Sequence, residues 1–463
     1  MIWQAKRYFG LLHRAAPLAM ATLMFAGTSV AVIPVAAGAA TSASRVVAAS
    51  APTNGIWPGV GKICGPGPGG SSSVRGVGSK TINIAVFNDA ANTIEPGLEV
   101  EFVQLAKAFA AWCNASGGIN GRHIVIDDRD AALFNAAQVT IQACQSDFMS
   151  VGGGMALDQA SVKVRVGCGL GQISSYEVSD NAVDAPLQVN PGGLNNNITS
   201  TGWYGALAKL YPEEVKHAGF GAQNNPSILE SQTKYKDGAE AQGWKFIDFQ
   251  EPPLSVEDWA PYVQEMESKG VQALEPPDDS NIAPYVQAMN TVGFKPKFML
   301  LGPQFYLPAT TKAAAASTFP TTYVEVQVWP LELASKSPSV TQLLSIMHTY
   351  AKGVAVDFND EIAASSWLLW AKSATACGAK LTVSCVLSHA TQVKNWSAGG
   401  LAAPIAQLKE GNDNPTPTPC FTFLKVEPNK FVYDKAVTQP TQSIWNCNPK
   451  GLIHLTPQQL AAA

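Results

Sequence analysis

The stretch Thr81-Ile-Asn-Ile-Ala-Val-Phe-Asn-Asp89 and, one helix later, Trp112-Cys-Asn-Ala-Ser-Gly-Gly-Ile-Asn-Gly-Arg122 set the pattern from which the rest of the chain is read. Ile82, Ile84 and Val86 alternate with their neighbours, which predicts a strand ending at Asn88-Asp89. Pro96 and Gly97 then open a helix with Phe102, Leu105, Ala106, Phe109 and Ala110 on its apolar face. Ser116-Gly117-Gly118 stops it, because glycine accepts the left-handed conformation of a helix end. Asn120-Gly121 turns the chain into a second strand at Ile124-Val-Ile126. Strand, helix and strand in this order imply parallel pairing through a crossover.

The cycle repeats downstream. A helix over 136–144 leads to a strand at 148–151, the turn Gly152-Gly-Gly154, a helix from Ala156 and a strand over 166–173. Further strand and helix pairs are predicted at 216–222 with 227–242, at 244–249 with 258–269, and at 271–274 with 282–292. A strand at 298–301 follows. Such alternation predicts an α/β fold with parallel sheets covered on both faces. Irregular Pro-containing stretches at 184–197 and 329–338 interrupt it and are the expected crossovers. A helix from Asn359, carrying Trp367, Leu368, Leu369 and Trp370, returns to the first lobe. The tail 412–450 reads as a linker and a hairpin.

At 463 residues, 46% hydrophobic and 14% charged, the chain can bury two cores of ordinary domain size. Lys6, Arg7 and Arg14 precede an acid-free apolar run, and Ala37-Gly38-Ala39 closes it. This is the pattern of a secretory signal peptide cleaved near Ala39; a retained membrane anchor is the competing reading. The formal net charge is −4, and removing three basic residues makes the remainder more acidic. With no Lys/Arg run, nucleic acid is not an expected partner. Residues 40–79, rich in Ala, Ser, Pro and Gly, read as a linker that Cys64 could pin to the body. All eight cysteines (Cys64, Cys113, Cys144, Cys168, Cys377, Cys385, Cys420 and Cys447) follow the signal, and an even set in an exported chain reads as four disulfides. Cys377 with Cys385 suits a local staple, and Cys420 with Cys447 a terminal bridge. Sequence alone leaves the connectivity open. No Cys-x-x-Cys pair and no histidine spacing points to metal.

In open α/β sheets ligands bind beyond the carboxyl ends of the strands. Six turns occupy that position here: Asn88-Asp89-Ala90, Gly152 to Ala156 with Met155, Ser174-Ser175-Tyr176, Asn224 to Ser227 with Asn225, Asp278-Asp279-Ser280, and Gly302 to Tyr306 with Gln304. Their short polar side chains suit a small polar solute. Each has a plainer reading: the triple glycine as a tight turn, Asp278-Asp279 as a helix start, Tyr176 and Tyr306 as packing residues. Asp127-Asp128-Arg129-Asp130 reads as an internally paired surface loop rather than a metal site. No Gly-x-Ser-x-Gly elbow, His-Glu-x-x-His, or Gly-x-Gly-x-x-Gly opening a helix is found, so neither an enzyme nor a cofactor is expected.

The opening strand, the Asn-Ala-Ser-Gly-Gly-Ile-Asn-Gly-Arg run and Ile126-Asp127-Asp128, with Gly293-Phe294-Lys295 later, resemble the type I periplasmic solute-binding proteins of ABC transporters, the branched-chain amino-acid-binding group. The resemblance runs from about residue 80 to 435. It implies two Rossmann-like lobes (80–193 with 330–405, and 194–329 with 406–450) that close on a ligand through a three-crossover hinge. It also implies a Cys113–Cys144 disulfide, a ligand carboxylate held near Met155-Ala156 and Ser174-Ser175-Tyr176, and second-lobe contacts at Pro226-Ser227 and Asp278-Asp279. The acidic residue that meets a ligand ammonium in relatives falls on Gln304, so an amide or urea-like solute competes with an amino acid. No lipidation motif accompanies the cleavage site. The expected partners are the solute and a membrane permease, with the protein acting as a monomer. An extracellular sensor and a secreted hydrolase are the rival readings.

Overall fold

The computed structural model describes residues 52–70, 72–277 and 281–456; the signal-peptide region, Asp278, Asp279 and Ser280 lie outside the described residues. Thr81–Asn88 is central in a four-stranded parallel sheet, flanked by His123–Asp130 on one side and by Met149–Val151, then Gly171–Ile173, on the other. Both faces of the strand are buried. Ile82, Ile84 and Val86 join one core with Phe102, Phe109, Trp112, Trp367 and Trp370, while Ala85 and Phe87 join Val139, Ala143 and Met155 on the opposite face.

The second sheet runs in the order Lys430–Tyr433, Cys420–Glu427, Thr321–Val326, Phe298–Leu301, Ala273–Glu275, Ala218–Gly221, Phe246–Gln250. Its last five strands in this order are parallel, and the Cys420–Glu427 hairpin adds an antiparallel edge. Thr321–Val326 was not anticipated as a strand. The chain leaves the first sheet after Ile173, returns to it with the Phe358–Ala376 helix, and enters the second sheet again at Cys420. That helix is buried on nearly every side, which the unbroken Trp-Leu-Leu-Trp run requires.

Three expectations are corrected. The strand expected over 166–173 is only Gly171–Ile173, because Val166 and Gly167 end the Gln159–Gly167 helix. The disulfides are Cys64–Cys113, Cys144–Cys168, Cys377–Cys385 and Cys420–Cys447, so Cys113 does not pair with Cys144. The cause is handedness. The Val100–Ala115 helix crosses from the central strand to its left neighbour, and Ala136–Ser146 crosses back to the right neighbour. Right-handed crossovers in opposite directions lie on opposite faces of a sheet. Cys113 accordingly sits in one core and Cys144 against the other.

The third correction concerns the expected linker. Residues 52–70 form a strap over the first lobe, with Trp57 and Ile63 buried and the Trp112 indole N–H donating to the Pro52 carbonyl at 2.6 Å. The Asn-Ala-Ser-Gly-Gly-Ile-Asn-Gly-Arg motif explains this packing. Asn114 clasps both the amide and the carbonyl of Ile124. Gly118, at φ 73°, passes so close to Arg122 that a Cβ would lie 2.2 Å from its carbonyl oxygen. Buried Arg122 donates to the carbonyls of Gly69, Gly70 and Gly78. The motif is structural.

Candidate functional site

A cavity of about 830 Å³ opens between the carboxyl ends of the two sheets. Its first wall comes from the loop and helix start at 94–101, from Ala156, from Ser175 to Val178, and from Phe358, Asn359 and Ile362 of the returning helix. Its second wall includes Trp203, Tyr204, Tyr235, Trp259, Glu275 and Glu325, together with the turn after Phe298–Leu301.

Of the residues expected to contact a ligand, Ala156, Ser175, Tyr176 and Gln304 line this cavity. The other described ones do not, and each is buried in the core or engaged by neighbouring groups. Asn88 donates to Asp128 at 2.8 Å and accepts from the Ala90 amide. Asp89 accepts from the Leu133 amide at 2.6 Å and the Ala156 amide at 2.8 Å, tying three turns together; burial raises its pKa. Met155 is core. Ser174 donates to Glu177, and Asn225 caps the Pro226–Ala241 helix through the Ser227 amide, which buries Ser227. Tyr306 is buried, donates to Glu332 at 2.6 Å and accepts from the Leu331 amide. Asp278 and Asp279 lie outside the described residues.

The triple glycine is a packing device. At Gly152, with φ 68°, a Cβ would lie 2.3 Å from the Trp367 indole nitrogen, and at Gly153 it would lie 2.4 Å from the Phe87 carbonyl oxygen. The Asp127 to Asp130 cluster belongs to the His123–Asp130 strand rather than to a loop. There Arg129 forks onto buried Asp147 at 2.9 and 3.1 Å, and Lys107 lies 3.7 Å from Asp128. Cys377, Cys385 and His389 bring ligand atoms together, but the two thiols are joined in a disulfide.

Several lining residues escaped the sequence reading. Glu325, only 6% exposed, sits near the carboxyl end of Thr321–Val326 with its Oε2 unpartnered among the described residues. Burial pushes its pKa up to about 8. Glu99, 3% exposed, takes φ 65° before the Val100–Ala115 helix, and its Oε2 is also unpartnered. Burial, then the charges of Asp89 and Glu101, hold its pKa well above the usual range. The Ser175 hydroxyl, 8% exposed, is the third such atom in this cavity. Glu177, buried beside Ser174 and Asn190, is raised to about 7, mainly by desolvation. Glu325 did leave a signal, since a glutamate inside a β-branched run cannot sit in a dry core without a purpose.

The sequence pattern of the family described as "Periplasmic binding protein" matches residues 189–430, just over half of the chain. The chain belongs to the periplasmic binding proteins. Solved structures extend the likeness to about four-fifths of the chain. The fatty acid ABC transporter substrate-binding protein from Thermomonospora curvata superposes with a TM-score of 0.64 at 16% identity, over 80% of this chain and 95% of that one. The branched-chain amino acid transporter substrate-binding protein from Streptococcus pneumoniae, in complex with isoleucine, gives 0.60 at 15% identity over 77% and 100%. A solute-binding protein from R. palustris in complex with benzoate gives 0.61 at 14% over 76% and 95%. At these identities the fold alone is shared. None of the curated proteins matches the sequence. The type I periplasmic binding protein family is extracytoplasmic and non-enzymatic, and among the described residues no helix is long and apolar enough to cross a membrane.

Proposed function

We propose that this periplasmic binding protein is the capture component of an ABC importer, holding a solute between its two lobes and delivering it to a membrane permease. The observation that carries the reading is the cavity walled by the carboxyl ends of both sheets, the position at which α/β folds bind ligands. The lobes comprise about 80–193 with 330–405 and 194–329 with 406–450. A ligand that touches both walls favours the closed arrangement by its differential affinity. Ser175 and Glu325 offer polar atoms from opposite walls, while Leu98, Ile228, Leu254, Phe305 and Ile362 make much of the remaining surface apolar. The solute therefore combines a polar end with an apolar body. A urea-like compound, which lacks the apolar body, does not meet that description. Residues 1–39 act as a cleaved signal, and the mature chain works as an unlipidated monomer.

The test joins native mass spectrometry to small-angle scattering. Gently purified protein should retain a co-purified solute, and reloading the emptied protein with it should reduce the radius of gyration. A trapped solute that produces no compaction counts against closure on a ligand.

A further inference from the structure

We propose that the solute is an organic ammonium ion with an apolar or aromatic body and no carboxylate, its nitrogen held by Glu325. This rests on the carrier reading above and narrows its ligand class. Three observations support it.

The first is charge. Glu95, Glu99, Glu101, Glu177, Glu275 and Glu325 line the cavity, and no described residue lining it is Lys, Arg or His. A ligand carboxylate would meet acids on both walls with no fixed cation to balance it. A ligand cation instead favours the ionised form of each carboxyl it meets.

The second is unused bonding capacity. Glu325 and Glu99 are more than nine-tenths buried, each with an unpartnered oxygen, and both line the cavity. A buried carboxyl group without a partner is costly, and an ammonium is the partner that restores both its charge and its hydrogen bonds. Glu325 is the better anchor, since its raised pKa comes from burial alone, whereas Glu99 is surrounded by other acids.

The third is the aromatic surface. Trp203, Tyr204, Tyr235 and Trp259 belong to the same wall as Glu325 and Glu275. Trp203 packs at 5.5 Å from Tyr204 and 6.2 Å from Tyr235, and Tyr204 donates to both oxygens of Glu275. Ring faces attract cations as well as apolar bodies, so acid and aromatic groups on one wall select for an amine over a neutral solute of the same shape.

The test titrates the full exported chain, freed of co-purified solute, with four probes of matched body: phenethylammonium, 2-phenylethanol, 3-phenylpropionate and phenylalanine. Octylammonium serves as a second amine of different shape. At least one amine should bind ten-fold or more tightly than the alcohol, carboxylate and zwitterion. Glu325→Gln should weaken that amine at least ten-fold while leaving 2-phenylethanol unchanged, with circular dichroism confirming an intact fold. Trp259→Leu, which removes a ring face and leaves every carboxyl in place, should weaken the amine and, to a smaller extent, the alcohol. Binding of the carboxylate or zwitterion as tight as that of the amines overturns the assignment, and so does an amine indifferent to Glu325→Gln. Failure of both amines overturns it as well. In each of these cases, compaction with any other solute in scattering keeps the carrier reading, and loss of compaction with every bound solute removes that too.

Discussion

Replacing Glu325 by glutamine should flatten the pH dependence of stability in the unliganded protein. Burial raises the Glu325 carboxyl to about 8 from an ordinary value of 4.5. The folded protein thus keeps a proton that the unfolded chain has already released. The contribution of this group is complete below pH 4.5 and is lost as pH rises toward 8. Each pH unit between those limits costs up to about 1.4 kcal/mol, so the interval from pH 5 to 7 carries about 2–3 kcal/mol. Glutamine has the same shape and does not titrate, so the variant escapes this loss. Asp158, raised to about 6, and Asp357, raised to about 8, titrate in the same direction in both proteins and cancel in the difference. The assay is urea unfolding of wild type and Glu325→Gln at pH 5, 6, 7 and 8. The variant should gain on the wild type steadily with pH, by about 2–3 kcal/mol from pH 5 to 7. Parallel curves would show that the carboxyl is ionised and solvated in the free protein, and the burial argument would fail.

Digestion without reduction should yield peptides linking Cys64 to Cys113 and Cys144 to Cys168; a Cys113–Cys144 peptide in mass spectrometry would contradict the assignment of the two helices to opposite faces. Trp367→Ala removes an indole packed 5.4 Å from Phe109 and 5.5 Å from Trp370, and should cost about 3–5 kcal/mol in denaturant unfolding. Asp89→Ala strands the Leu133 and Ala156 amides and should destabilise by about 2–5 kcal/mol. Its calorimetric affinity for the solute should nevertheless stay within a few-fold of wild type, which a direct ligand contact would not allow.

The order of strands and helices was legible because both faces of the first sheet's central strand are buried, and Ile82, Ile84 and Val86 declare one of them without ambiguity. The turns were legible for the same reason, since each follows a strand. Which side chain in a turn meets the cavity was not. Asn88, Asp89, Ser174 and Asn225 have the chemistry of ligand contacts, and all four are engaged by neighbouring amides, hydroxyls or carboxylates. A turn must satisfy its own backbone before it can serve a ligand. The Cys113–Cys144 pairing that the resemblance implied failed because the two helices cover opposite faces of the first sheet. Gln304 lines the cavity, and a carboxyl group stands on the strand beside the one that leads to it, at Glu325.

The three unpartnered atoms in the cavity also bear on why a ligand would close it. Glu99 and Ser175 belong to the first wall and Glu325 to the second, so no ligand confined to one wall can reach them all. Satisfying a buried polar group recovers about 1–3 kcal/mol, and more where charge is involved. Shifting a two-state equilibrium from 1:99 to 99:1 needs about 5.5 kcal/mol of differential affinity. The three groups together, at roughly 3–9 kcal/mol, span that requirement, whereas Glu325 alone falls short of it. Glu99 takes a left-handed backbone at φ 65°, a conformation whose cost the surrounding structure offsets. On the carrier reading proposed above, a solute held by the acid and aromatic surface of one lobe meets Glu99 and Ser175 of the other only when the lobes close.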